Sequence, residues 1–308
     1  MLPTQVTLVD VGPRDGLQNE KQPVSSEHKI ELVHRLQAAG LKEIEVTSYV
    51  SPKWVPQMAD NAVVMAGVTL PNARQPGVRY SVLTPNMKGF EAATANSQIK
   101  PDEIVVFAAA SEAFSQRNIN CSIEESIERF RPVVAAAHAQ GIKVRAAISC
   151  AVGCPYQGEV SPDEVERVAR LMKDIQVDHC GVADTIGVGT PLKVQAAMER
   201  ALKHFPLHEV SGHFHDTYGQ ALANVYACLQ MGIHIFDASV AGLGGCPYAK
   251  GATGNVGTED VLFMLNGLGI ETGVDIDKLV DAAAFISEVL GRKPVSRVGS
   301  ALLAKRVG

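Results

Sequence analysis

Aromatic residues are scarce: one Trp, six Tyr and nine Phe make up 5% of 308 positions. Basic charge is not in excess either, because 28 Lys and Arg face 33 Asp and Glu, a formal net charge of -5. A nucleic-acid surface needs a clustered basic face and rings that stack on bases, so nucleic acid is not an expected partner. Long apolar runs are also missing. The longest, such as Ile104 to Ala110, extend about seven residues against the roughly 20 needed to cross a bilayer, and no membrane span is expected. Six cysteines (Cys121, Cys150, Cys154, Cys180, Cys228, Cys246) include no CxxC pair, which argues against a disulfide framework or a zinc ribbon. Reduced thiols, and a start with neither a basic leader nor a cleavage-site pattern, give a cytoplasmic location as the expectation.

Hydrophobic residues, by contrast, fill 46% of the chain. They occur as short Val-, Ile- and Ala-rich runs between longer amphipathic stretches, the pattern of strands buried on both faces and joined by helical crossovers. Eight such runs are read as strands: Val6 to Val11, Glu43 to Tyr49, Arg79 to Thr84, Glu103 to Ala109, Lys143 to Cys150, His179 to Thr185, Glu209 to His215 and Ile235 to Ala241. Helical spacing of Ile30, Val33 and Leu36, and of Ile123, Ile127, Phe130 and Val134, marks helices over Glu27 to Ala39 and Ser122 to Ala139. Gly40 and Gly141 read as helix stops, and Pro162 and Pro191 as helix starts. No Pro-, Gly- or Ser-rich linker divides the chain, so residues 1–308 are expected to form one α/β domain, a (β/α)8 TIM barrel. An open doubly wound sheet competes less well, because Gly12-Pro13-Arg14-Asp15-Gly16 stands where a G-x-G-x-x-G turn would follow the first strand. Residues 272–308 read as extra C-terminal helix (Leu279 to Leu290, Ser300 to Arg306) beside the barrel.

In such a barrel the strand C-termini converge on one mouth. There the sequence places Arg14 and Asp15, Glu45, Arg145 and Ser149, Asp184, His213 and His215, and, in the loop after the eighth strand, Cys246 and Asn255. His213-Phe214-His215 is the most informative triplet, because alternation along a strand turns both imidazoles to one side and the phenyl ring to the other. Two neutral imidazoles call for an anionic co-ligand, and Asp15 is the candidate, with Asn255 adding a neutral oxygen. That set suits octahedral Mg2+ or Mn2+ better than closed tetrahedral zinc. The facial triad of an iron oxygenase uses the same two histidines and a carboxylate, and stays open at this point. Asp216 reads as a helix cap, with ring orientation as the alternative.

The segment Ala241 to Asn255 holds five glycines in fifteen residues around Cys246, a setting for close backbone approach to a ligand and for a reactive thiol. Arg14 supplies a positive fork suited to a carboxylate or enolate oxygen. Arg145 and Ser149 are expected to touch substrate, and Lys21 and Lys250 to meet phosphates of a large anion.

Five segments together resemble the 3-hydroxy-3-methylglutaryl-CoA lyase family: Val11-Gly-Pro-Arg-Asp-Gly-Leu-Gln-Asn-Glu20, Ile44 to Met58, Ala183-Asp-Thr-Ile-Gly187, Gly212-His-Phe-His-Asp-Thr217 and Gly242 to Asn255. The R-D-G and H-x-H elements are shared with the wider metallolyase superfamily, isopropylmalate-synthase-like enzymes included. The cysteine loop is more specific. The resemblance implies divalent-metal-dependent cleavage of the CoA ester to acetyl-CoA and acetoacetate, in leucine degradation and ketone-body formation. It implies Asp15, His213, His215 and Asn255 as metal ligands, and Arg14, Glu45, Asp184, His213 and Cys246 in or next to the reaction centre. A homodimer is expected. A related acyl-CoA lyase or a Claisen-condensing synthase on the same barrel is the alternative.

Overall fold

The computed structural model describes residues 1–245 and 254–307. Eight parallel strands close into a barrel: β1 (Thr7–Asp10), β2 (Glu43–Ser48), β3 (Arg79–Leu83), β4 (Glu103–Ala109), β5 (Lys143–Ser149), β6 (His179–Asp184), β7 (Val210–Phe214) and β8 (Ile235–Ala238). Each pairs with its sequence neighbours, and β8 closes on β1 through Thr7 beside Ile235 and Asp10 beside Ala238. All eight expected strands are present, most of them a residue or so shorter than expected. β8 is shorter by three, because the chain turns at Ser239 and passes through Ala241 with a left-handed φ of 59°.

Helices cover the outside of the barrel, and local chemistry sets their ends. Ser25 accepts from the His28 N–H, and Ser122 and Glu125 form a reciprocal capping box, at the starts of Ser26–Ala38 and Ile123–Ala139. Pro162 and Pro191 occupy the first turns of Pro162–Asp174 and Pro191–Ala201. Gly40, at φ 106°, ends the first helix where a Cβ would meet the Gly273 carbonyl oxygen at 2.2 Å. Features that the sequence reading did not name include a short antiparallel ribbon of Gly153–Cys154 with Gly158–Glu159 and the helices Asn61–Val68, Met87–Ala93, Glu112–Ile119 and Ala221–Gln230. The C-terminal helices run over Ile276–Val289 and Arg297–Val307, and the former packs on Ser26–Ala38.

The core lies between strands and helices. Ile44, Val82, Val106, Ile148 and Phe236 are fully buried on the outer face of the strands, where apolar side chains meet the surrounding helices. The inward positions at the upper end hold polar groups, and these form the site.

Candidate active site

The first catalytic-looking residues sit on a tight π-helical turn, Gly12–Gly16, that leaves β1. Its two glycines are a packing requirement. A Cβ at Gly12 would meet Asp10 Oδ1 at 2.7 Å, and one at Gly16 would meet Leu243 Cβ at 2.7 Å. Asp10 is fully buried and accepts from the Gly12 N–H (2.8 Å), the Val240 N–H (3.0 Å) and the Thr258 hydroxyl (2.8 Å). One carboxylate thus joins three segments: the turn bearing Arg14 and Asp15, the start of the glycine-rich loop, and the helix Thr258–Gly267 that follows Asn255. Burial pushes its pKa up to about 7 despite those donors.

On this turn Arg14 donates to Asp15 Oδ1 at 2.6 Å and to Glu45 Oε2 at 2.8 Å. Glu45 reaches inward from β2 beside a register shift against β3, a bulge of the kind that re-aims a side chain. Asp15 Oδ2 accepts from Asn255 Nδ2 at 2.8 Å, and that amide nitrogen also faces the Leu243 carbonyl at 3.3 Å. With both neighbours acceptors, the amide orientation is fixed, and Asn255 Oδ1 is the atom left for a ligand.

His213 and His215 turn to the same side of the chain with ring centroids 5.4 Å apart, while Phe214 packs outward at 2% exposure. Ligand atoms of Asp15, His213 and His215 all lie within 4.8 Å of one another. Burial would raise the Asp15 carboxyl, but Arg14, His213 and His215 outweigh it and hold the group well below the usual carboxylate range. Burial and the neighbouring His213 push His215 down to about 4, so its imidazole is neutral at pH 7. His215 Nδ1 is buried with no hydrogen-bond partner among the described residues. An ionised carboxylate, two imidazoles, an amide oxygen and a buried nitrogen without a partner fit a divalent cation with open positions.

Other expected residues divide. Ser149 ends β5, half-buried at the rim. Arg145 lies four residues earlier on the same strand, about 13 Å back along it at ~3.3 Å per residue, and its guanidinium is held by Glu103 and Asp237, each at 3.0 Å. It is an ion-pair partner in the barrel interior, one layer beneath the rim residues it was expected to join. Asp184, expected in or next to the reaction centre, ends β6, and its two oxygens accept backbone N–H groups from Val188 (3.1 Å) and Gly189 (2.7 Å), which also shapes the loop after β6. Burial nevertheless raises it to about 6. Asp216, expected as a helix cap, accepts from the Ala221 N–H at 3.0 Å across the turn before Ala221–Gln230, whose N-cap position is Gln220. Lys21 is exposed on the first loop. Cys246 and Lys250 lie outside the described residues.

The neck of the glycine-rich loop is described. A Cβ at Gly254 would meet the Gly244 carbonyl carbon at 2.4 Å, so the two strands of the neck approach as only glycine allows. Asn19 Nδ2 donates to the Gly245 carbonyl at 2.9 Å and ties this neck to the first loop. Sequence reading missed Asn19, Asp10, Asp237 and Glu259. For Asp10, Asp237 and Glu259 a signal existed, an acidic residue within or beside an apolar segment, since buried carboxylates need a specific partner. Asn19 carries no such mark.

A closed parallel barrel whose C-terminal rim gathers a carboxylate, two imidazoles and an amide, with an arginine beside them, defines a (β/α)8 protein with a metal-type cluster at its catalytic end. The chain belongs to the HMGL-like family, whose model matches residues 5–286. It is 59% identical over 304 residues, 99% of each chain, to the 3-hydroxy-3-isohexenylglutaryl-CoA/hydroxy-methylglutaryl-CoA lyase of Pseudomonas aeruginosa. It is 52% identical over 300 residues to the human mitochondrial hydroxymethylglutaryl-CoA lyase, covering 97% of this chain and 90% of that one. Among solved structures, the hydroxymethylglutaryl-CoA lyase from Pseudomonas aeruginosa superposes with a TM-score of 0.94 at 58% identity, covering 99% of both chains. An HMG-CoA lyase from Acinetobacter baumannii, in complex with coenzyme A and 3-methylmalate, gives 0.90 at 31% identity, covering 97% of this chain and 95% of that one.

Proposed function

We propose that this chain cleaves 3-hydroxy-3-methylglutaryl-CoA to acetyl-CoA and acetoacetate in a divalent-cation-dependent retro-Claisen reaction. The observation that carries the reading is the convergence of Asp15, His213 and His215 at the barrel mouth in a chain 59% identical to a lyase of that name. Asp15, His213, His215 and Asn255 would hold Mg2+ or Mn2+, which supplies Lewis acidity toward substrate oxygens when bound.

The C3 hydroxyl loses its proton to a base, for which Asp184 at the end of β6 is the candidate, and the chain's other groups account for the charge and the proton that follow. As the C2–C3 bond breaks, C2 leaves as a thioester enolate, and the Arg14 guanidinium stabilises its oxygen, a role worth on the order of 3 kcal/mol. Glu45 and Asp15 hold that guanidinium in place from two sides. The Cys246 thiol then gives its proton to C2. Asp184 holds the loop after β6 at the edge of the mouth, Ser149 contributes a rim hydroxyl, and Lys21 meets the CoA phosphates. The same reading carries a homodimer in the cytoplasm; a zebrafish relative named as the cytoplasmic lyase is 53% identical.

Acetoacetate release from the CoA ester, measured with Mg2+, Mn2+ and a chelator, tests this reading. Metal-dependent acetoacetate is the expected result, and condensation of acetyl-CoA with a 2-oxo acid in its place would overturn it. The name of the Pseudomonas aeruginosa relative favours a second substrate, the 3-isohexenyl homologue. Comparing kcat/KM for the two esters decides which the pocket prefers.

A further inference from the structure

One acid at the site, its side chain 12% exposed, has no part in the chemistry above. Asp237 points inward from the middle of β8, between Phe236 and Ala238, which pack outward with no exposure. Its Oδ2 lies 3.1 Å from His213 Nδ1, and its Oδ1 accepts from Arg145 at 3.0 Å. Arg145 is in turn held by Glu103 at 3.0 Å. The result is a line of alternating charge, Glu103, Arg145, Asp237, running up the barrel interior to one imidazole of the rim.

From this line, and resting on the metal reading of the rim, we infer that Asp237 is a positioning residue that fixes the ring and tautomer of His213. A carboxylate only accepts hydrogen bonds, so the hydrogen of a neutral His213 must sit on Nδ1. The lone pair is then on Nε2, the nitrogen left for an ion shared with Asp15 and His215. Arg145 makes the arrangement directional. It occupies the far oxygen of Asp237 as a permanent donor, so that Oδ2 alone serves His213.

That direction gives an unusual consequence for Asp237→Asn. The Asn oxygen must face the Arg145 guanidinium, which turns the amide N–H toward His213 Nδ1. The imidazole then accepts at Nδ1 and carries its hydrogen on Nε2, the tautomer that cannot ligate through Nε2. In the double variant Asp237→Asn with Arg145→Met the amide is free to turn round, offer its oxygen to Nδ1–H and restore the original tautomer.

Nitrogen-15 spectra of the histidines in metal-free protein, taken at about pH 9 where an imidazole is neutral, read the tautomer directly. Hydrogen on Nδ1 of His213 in the unaltered protein is expected, and hydrogen on Nε2 there overturns the inference whether or not any variant folds. Titration with Mn2+ should show Asp237→Asn binding about 10- to 100-fold more weakly at unchanged circular dichroism, the usual range for such outer partners. The double variant should recover part of that loss, which a merely structural role for the ion line does not provide. Unaltered protein that binds no Mn2+ removes the ligand set and this inference with it. Unaltered protein that binds, with Asp237→Asn binding equally well, removes the inference alone.

Discussion

The rim of the barrel and the layer just beneath it are both polar and both buried, yet they are built in opposite ways. Below, Glu103, Arg145 and Asp237 alternate in sign and bind one another at 3.0 Å. Above, Arg14 Nε, Glu45 Oε1 and His215 Nδ1 are buried with no hydrogen-bond partner among the described residues. A buried polar atom left without a partner costs of order 1–3 kcal/mol. The ion line of the lower layer is paired throughout, although His179 Nε2 and Ser211 Oγ near it also have no hydrogen-bond partner among the described residues. At the rim, by contrast, the open atoms belong to the candidate catalytic and ligand residues themselves. The contrast separates residues that hold the barrel from residues that wait for substrate and ion, and substitutions at each level should fail in different ways.

The largest effect belongs to Cys246. Cys246→Ala should lower turnover about 10²- to 10⁴-fold, the usual worth of a positioned general acid, with Mn2+ stoichiometry and melting temperature unchanged. Near-normal turnover would remove the thiol from the reaction. Arg145→Met should fail the other way. It leaves Glu103 without its hydrogen-bonded partner and Asp237 with His213 alone, and urea unfolding should report a loss of about 1–3 kcal/mol. A loss under about 1 kcal/mol, the range of exposed pairs, would mean that the lower layer does not hold the barrel.

The next effect reads the rim through its ligand. Mn2+ at about 100 times its Kd should raise stability by about 2.7 kcal/mol, because it binds the folded chain only. His215→Ala should remove that rise. Equal stabilisation of both proteins would exclude His215 as a ligand.

The same contrast explains what the sequence revealed. Strands and most helices were legible because Val-, Ile- and Ala-rich runs, Pro starts and Gly stops are local signals. The H-x-H pair was legible because alternation depends only on neighbours, and His213 and His215 do face one side. The level of Arg145 was not legible because strand membership does not give height: its third place in β5 puts it below Ser149. The backbone donors to Asp184, at Val188 and Gly189, were not legible because they come from a loop whose path no periodicity describes. Asp10 and Asp237 were passed over because their partners lie far along the chain, at Val240 and Thr258 for one and at His213 and Arg145 for the other.

A last effect, read as a pH dependence, concerns a buried acid beneath the neck of the glycine-rich loop. Glu259 is fully buried at the start of Thr258–Gly267, and its Oε1 accepts from the Ala241 N–H at 2.8 Å. Burial pushes its pKa from 4.5 to about 8, and the nearby carboxylates of Asp10 and Asp260 add to the shift. The folded chain therefore keeps a proton that the unfolded chain has released over that interval. Stability from this group is fully present below pH 4.5, falls as pH rises toward about 8, and changes no further above it. Gln at this position is neutral at every pH and still accepts from Ala241. Urea midpoints of Glu259→Gln should thus match the unaltered protein near pH 4.5 and exceed it increasingly up to about pH 8. Parallel midpoint curves across that range would show that Glu259 is ionised in the fold, and that a cation or an ordered water balances it.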